Sequence, residues 1–195
     1  MSETDAELIE DYLAGDLAAF ERLYERHAVR LLGFARSLGA PQDGAEDIAQ
    51  AAWMKALRGL KRYRDRGMFR QWLFKIAFHT WVNESKSAWE RGRTDAARMQ
   101  PNDEGEPADM DVFADRAEGP RAVASANELR GRIEQALAIL PDEMRQALLL
   151  RADGELTYRE IAESLGCPLG TVLWRVREAQ SRIAKHLEID IGRFK

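Results

Sequence analysis

Cysteine, histidine and proline are scarce in this 195-residue chain, at one, three and six residues. The lone cysteine, Cys167, excludes an internal disulfide and suits a reducing compartment. With three scattered histidines it gives neither a cluster at metal-ligand spacing nor a nucleophile–base pair for covalent catalysis. No glycine-rich loop of the kind that cradles phosphates is present, so nucleotide hydrolysis is not expected. No apolar run approaches the roughly 20 residues that cross a bilayer. The opening stretch, MSETDAELIEDYL, is acidic and amphipathic, unlike a signal peptide. Together these absences set the expectation of a soluble, cytoplasmic protein that is not an enzyme, holds no metal or cofactor and does not insert in a membrane.

What is abundant is charge, and it comes in blocks. The net charge of −4 argues on its own against a nucleic-acid binder. Its distribution argues the other way. Residues 1–50 hold 11 acids against 4 arginines, a net of −7. Residues 55–93 hold 11 lysines or arginines against 3 acids, a net of +8. Residues 101–118 hold 7 acids and 1 arginine, a net of −6. Such segregation points to different partners for different segments.

Hydrophobic periodicity is helical throughout. Leu8, Ile9, Tyr12 and Leu13 form one stripe, broken at Gly15 with Asp16 as the next N-cap. Phe20, Leu23, Tyr24, Val29, Leu32, Phe34 and Ala35 form a second. GAPQDG (39–44) reads as a loop. A third helix spans 45–60, with Ile48, Ala52, Met54, Ala56 and Leu60 inward and Asp47, Gln50, Ala51 and Trp53 elsewhere. The basic loop KRYRDRGMFR precedes a fourth helix over 69–89. There Trp72, Leu73, Ile76, Ala77 and Thr80 make the buried stripe, and Lys75, Phe78, His79, Val82, Asn83 and Lys86 lie around the rest. Cations that track phosphates, interleaved with flat side chains that stack on unpaired bases, suit single-stranded DNA. Core packing is the competing reading for Phe69, Trp72 and Phe74. Residues 90–125 lack apolar periodicity and read as an acidic flexible linker. Leu129, Ile133, Leu137 and Leu140 form a further stripe. Pro141 opens the next helix, where Met144, Leu148 and Leu149 face the C-terminal helices.

Those helices lie in the most specific stretch of the chain, TYREIAESLGCPLGTVLWRVREAQSRIA (157–184). Thr157 and Glu160 form a capping box. Ile161, Ala162 and Leu165 share a face, Gly166 ends the helix, and Pro168 opens a second one. In that second helix Val172, Val176, Ala179 and Ile183 face inward. The outer face carries Thr171, Trp174, Arg175, Arg177 and Arg182, types that reach phosphates and base edges. This is helix-turn-helix geometry, whose second helix enters the major groove; an ordinary helical hairpin is the plainer alternative.

Several motifs together resemble bacterial RNA polymerase sigma factors of the sigma-70 family, in the extracytoplasmic-function (ECF) group. In the C-terminal part these are Leu140-Pro141, Asp153-Gly154-Glu155, Tyr158 to Ala162, Gly170-Thr171-Val172 and Arg175. The chain departs from the pattern at Leu173-Trp174, where polar residues are usual, and at Glu178, where arginine is usual. In the N-terminal part, FRQWLFKIA (69–77) is similar to the family's Phe-Arg-x-Trp-Leu-aromatic-basic-Ile-Ala. His79 stands where asparagine is common and Asn83 where aspartate is. Asp47, Gln50 and Trp53 match the helix that docks on the β′ coiled coil of polymerase, with Ala51 in place of the usual glutamate.

The resemblance implies an all-α fold of two small helical domains. Residues 5–89 would be region 2, binding core polymerase and the −10 element. Residues 90–125 would be the linker, threading a basic polymerase channel, and 126–188 region 4, binding the −35 element. It assigns core polymerase contact to Asp47, Gln50 and Trp53. It assigns −10 contact to Arg62, Tyr63, Arg64, Arg66, Lys75, Phe78, His79, Asn83 and Lys86, and −35 contact to Thr171, Trp174, Arg175, Arg177 and Arg182. The implied partners are the β and β′ subunits of core RNA polymerase and promoter DNA, with an anti-sigma factor as a further candidate. Two other function classes stay open: a stand-alone helix-turn-helix regulator that never joins polymerase, and a sigma-like protein that sequesters a partner.

Overall fold

The first helix begins where its cap dictates. Thr4 accepts from the Glu7 backbone N–H, and the Glu7 carboxylate accepts from the Thr4 backbone N–H at 2.7 Å. Helix α1 (Asp5–Ala14) ends at Gly15, and Asp16 caps α2 (Leu17–Ser37) by accepting from Ala18 N–H at 2.9 Å. Helix α3 (Gln42–Leu60) starts inside the expected 39–44 loop, and α4 (Phe69–Asp95) is longer than expected. The second half holds α5 (residues 131–138), α6 (Asp142–Ala152), α7 (Tyr158–Leu165) and α8 (Leu169–His186). The computed structural model describes residues 3–40, 42–64, 67–95 and 131–187, with the backbone alone at 42–43 and 86–95. Among the described residues there is no strand, so the fold is all-α. The expected 90–125 linker lies mostly outside the described residues, as does Leu129.

In the first half, α3 packs on α4 and α2, and α1 packs on α2. The core is aromatic where these helices meet. Phe34 meets Phe74 at 5.0 Å, and Trp53 meets Phe20 edge-on at 5.8 Å and Tyr24 at 5.1 Å. Such pairs add about 0.5–1.5 kcal/mol each beyond the area they bury. Gly59 permits the close approach of α3 and α4, because a Cβ there would sit 2.9 Å from the Trp72 ring. In the second half, α6 and α7 both pack on α8. The Thr157–Glu160 capping box and the left-handed Gly166 (φ 62°) are as the sequence predicts.

Five apolar positions differ from expectation. Val29, Tyr24, Met54, Leu13 and Ile133 are exposed, while Leu31 and Trp53 take core places. Leu23 and Trp53 are buried one position from Tyr24 and Met54, and His27 and Leu31 two positions either side of Val29.

A polar contact ties α1 to α2. The Asp5 carboxylate meets His27 Nε2 at 2.8 Å and accepts from Arg26 Nη1 at 2.6 Å. Burial pushes the Asp5 carboxyl up, but the hydrogen bonds from His27 and Arg26 outweigh it and hold it below the usual carboxylate range. A carboxyl lowered on folding stabilises the fold above its unfolded pKa, and that contribution fades as pH falls through the lower folded value. Asp5→Asn is therefore expected to cost about 1–3 kcal/mol at pH 7. Urea unfolding of both proteins should show this gap narrowing as the pH drops below 4; a gap that does not change with pH would contradict the account.

Candidate nucleic-acid interface

Between α3 and α4 lies a cleft of about 590 Å³ lined by Lys55, Trp72, Lys75, Ile76, His79, Thr80 and Asn83. Three of these, Lys75, His79 and Asn83, are among the residues singled out from sequence. Tyr63, from the basic loop, stacks on Trp72 at 4.6 Å and so supports one wall. Lys55 forms the opposite wall; its ammonium donates to the Thr80 hydroxyl at 2.9 Å, which in turn donates to the Ile76 carbonyl at 2.8 Å. Arg62 and Arg64 are exposed beside the cleft. Partial burial, then the neighbouring Lys75 ammonium, holds the His79 imidazole below its ordinary range. At neutral pH it is an uncharged ring with one donor and one acceptor. The cleft thus joins a stackable aromatic wall, two lysines and hydrogen-bonding side chains, the combination that an unpaired base with its phosphate requires.

Sequence reasoning missed Lys55. The signal available was a lysine one turn before Gly59, on the side of α3 that the glycine brings against α4.

Two sequence-predicted residues cannot act as expected. Trp53 is 5% exposed, enclosed by Phe20, Tyr24 and Phe69. Phe78 is 1% exposed and packs on Trp81 at 5.8 Å. Both rings belong to the core, because a large flat side chain gains more from burial than the small or polar residues beside it. Asp47 and Gln50 are exposed on α3. Arg66 and the Lys86 side chain lie outside the described residues.

The helix-turn-helix is built as its spacing predicts: Val172, Val176 and Ala179 of α8 are buried against α6 and α7. On the outer face Trp174 and Arg177 are exposed and Thr171 is half-buried. Arg182 donates to Glu178 at 2.8 Å along its own helix. Arg175 differs from expectation. Its side chain is only 15% exposed, paired with Glu143 of α6 and donating to Cys167 Sγ at 3.5 Å. It braces the motif, and its guanidinium is already engaged.

The two halves share one apolar core, in which Leu149, Leu150, Leu156 and Ile161 are continuous with the buried residues of the first half, and charged pairs add to the seam. Arg70 of α4 pairs with Glu155 in the turn after α6, and Lys75 lies 3.9 Å from Glu163 of α7. Arg145 of α6 lies against Gly39. Burial pushes the Asp153 carboxyl up, opposed by the facing Arg70 and Arg30 guanidinia.

Comparison with known proteins fits both halves. The Sigma-70 region 2 family model matches residues 23–91, and the Sigma-70, region 4 model matches residues 130–177. The RNA polymerase sigma-H factor of Pseudomonas aeruginosa is 31% identical, over 95% of this chain and 95% of its own. The ECF RNA polymerase sigma-E factor of Escherichia coli K12 is 32% identical, over 92% and 94%. Among solved structures, the sigma factor RpoE of Bartonella quintana, in complex with the anti-sigma factor NepR, superposes with a TM-score of 0.61 at 22% identity. That match covers 88% of this chain and 98% of the other. CnrH, in complex with the cytosolic domain of CnrY, gives 0.58 at 23% identity, covering 95% and 98%. These two likenesses speak to the fold. With a helix-turn-helix in one half, a basic aromatic cleft in the other, both region models matched and near-full-length relatives above 30% identity, the chain belongs to the RNA polymerase sigma factors of the ECF group.

Proposed function

We propose that this chain brings core RNA polymerase to its promoters through three separate surfaces. The observation that carries the residue assignment is the α3–α4 cleft, with its stacked Tyr63–Trp72 wall and its lysines. Residues 5–89 act as the polymerase- and −10-binding domain, 126–188 as the −35-binding domain, and 90–125 as the tether between them. No helix among the described residues is long and apolar enough to cross a membrane, and the proposed place of action is the cytoplasm.

The first surface is the exposed acidic and polar side of α3, where Asp47 and Gln50 dock on the β′ subunit. The second is the cleft with its rim. Lys75, with Arg62, Arg64 and the neighbouring Arg66 and Lys86, tracks phosphates. The neutral His79 ring and Asn83 hydrogen-bond to the edge of a base turned out of the duplex, at an unstacking cost of a few kcal/mol. Opening is driven by this binding energy, and polymerase itself does the chemistry. The third surface is the outer face of α8, where Thr171, Trp174 and Arg177 enter the major groove at the −35 element, steadied by Arg175 and Arg182 from within the domain. The tether gives each DNA-binding unit a high effective concentration once the other is seated. A partner of the anti-sigma class, like that held by the Bartonella RpoE, belongs to the proposal.

The direct test is in vitro transcription with bacterial core polymerase and a genomic promoter library, sequencing the transcript starts. Starts sharing two upstream motifs at fixed spacing are expected. Asn83→Ala should degrade the downstream motif and Trp174→Ala the upstream one, while Lys75→Ala and Arg177→Ala should lower initiation without altering either motif. Operator binding by the chain alone, with no binding to core polymerase, would replace this reading with a stand-alone regulator.

The two roles on α3 separate cleanly by mutation. Asp47→Ala and Gln50→Ala should each weaken core binding by about 5–30-fold, as loss of an interface contact worth 1–2 kcal/mol does, with unfolding unchanged. Trp53→Ala should instead cost about 3–5 kcal/mol of folding stability. Calorimetry of unfolding beside a core-binding assay distinguishes them; an unaltered melting temperature in Trp53→Ala would refute its core placement.

A further inference from the structure

The tip of the recognition helix is apolar. Leu173 is 45% exposed and Trp174 57%, with Leu169 exposed one turn earlier. Single exposed apolar side chains are ordinary, but these stand together on the two turns of a helix-turn-helix that approach base edges most closely. The hydrogen-bonding groups nearby are few or occupied. Thr171 is half-buried, Gly170 has no side chain, and Arg175 is held inward by Glu143 and Cys167. Arg182 is bound to Glu178. One turn from the patch stand Arg177, exposed, and Glu178, whose carboxylate is already paired with Arg182.

In the major groove, one base-pair feature is apolar: the C5-methyl of thymine. Resting on the proposed assignment of α8 to the −35 element, we propose that Leu173 and Trp174 are specificity-determining residues that read thymine methyl groups there, with Arg177 holding phosphate. The occupant of the patch is duplex DNA. A protein surface would also accept Leu173 and Trp174, but the exposed Arg177 beside them, the pairing that occupies Glu178 and the position of the patch at the groove-entering end favour a polyanion.

Replacing thymine by deoxyuridine removes only the methyl, leaving hydrogen bonding and charge unchanged. Polymerase reconstituted with this chain is titrated, at one fixed salt concentration, onto promoter duplexes in which each thymine of the mapped −35 element is replaced in turn. Burial of one methyl corresponds to about a three- to four-fold change in affinity. That loss is expected at two or more adjacent positions for the unsubstituted protein. Leu173→Ala and Trp174→Ala, both at solvent-exposed positions, should each bind the thymine and uracil duplexes equally at the position its own side chain reads, and the double variant at all of them. Arg177→Ala should weaken both duplexes by the same factor. Equal affinity of the unsubstituted protein for both duplexes, or a −35 element without thymine, would overturn the inference while promoter-directed initiation leaves the functional reading standing. Loss of core polymerase binding in Leu173→Ala or Trp174→Ala, with the uracil effect intact, would reassign the patch to a protein contact. Absence of any promoter-directed initiation would remove the functional reading and this inference with it.

Discussion

Burial of the Trp53 indole among Phe20, Tyr24 and Phe69 is the contact on which the first half depends. It draws α2, α3 and the start of α4 onto one centre. Phe69, the first residue of α4, is fixed there, so the direction of α4 is set from its first turn. Gly59 then lets the Trp72 ring approach α3, and Lys55 bonds to Thr80 further along the same pair of helices. The cleft lies along the face of α4 that carries Trp72, Lys75, Ile76, His79, Thr80 and Asn83, closed on one side by Lys55. Trp72 is held by the Tyr63 ring stacked on one face and by the approach of its benzo edge to Gly59, and Thr80 is bonded on both sides, to Lys55 and to Ile76. A stacking surface that is already ordered loses little conformational freedom when a base arrives.

The second half solves a different problem, holding the outer face of one helix to solvent while its inner face packs on α6 and α7. Short α7 is framed by its capping box and by Gly166. Arg151 crosses the turn before it, donating to the Leu156 carbonyl at 3.0 Å and lying over the Tyr158 ring. Arg175 closes the other side through Glu143. The arginines of this domain therefore divide into those that brace the motif and those, such as Arg177, that face outward.

Much of this was legible in the sequence, for local reasons. Caps, breakers and the helix-turn-helix rest on residues close in the chain, so Thr4, Asp16, Thr157 and Gly166 announce their roles. The orientation of α3 was not legible. Its sequence, AEDIAQAAWMKALRGL, places alanines on several faces, and alanine fits a core or a surface equally well. The apolar pattern therefore admits more than one phase, and the choice between Trp53 and Met54 is made by the aromatic residues of α2 and α4, far away in sequence. Phe78 was misplaced for a related reason: on a helix apolar around most of its circumference, a ring beside a lysine and a histidine looks exposed until its neighbour Trp81 is in place. The pairing of Arg175 with Glu143 joins residues 32 apart, and no periodicity reports it. The cleft itself has no sequence signature, since it is a gap between helices and not a run of residues.

The charge contacts between the halves bear on the thermodynamics of promoter binding. Lys75, a phosphate-tracking residue in the proposed reading, already has Glu163 as a neighbour. Seating it on DNA is then an exchange of anions, a carboxylate leaving as a phosphate arrives. Each phosphate that a free cation neutralises releases counterions and steepens the decline of affinity with salt. A lysine that trades one anion for another adds less to that slope, because the freed carboxylate recruits cations of its own. Salt titration of promoter binding will then count fewer phosphates than the complex touches, and the deficit measures the internal ion pairs given up.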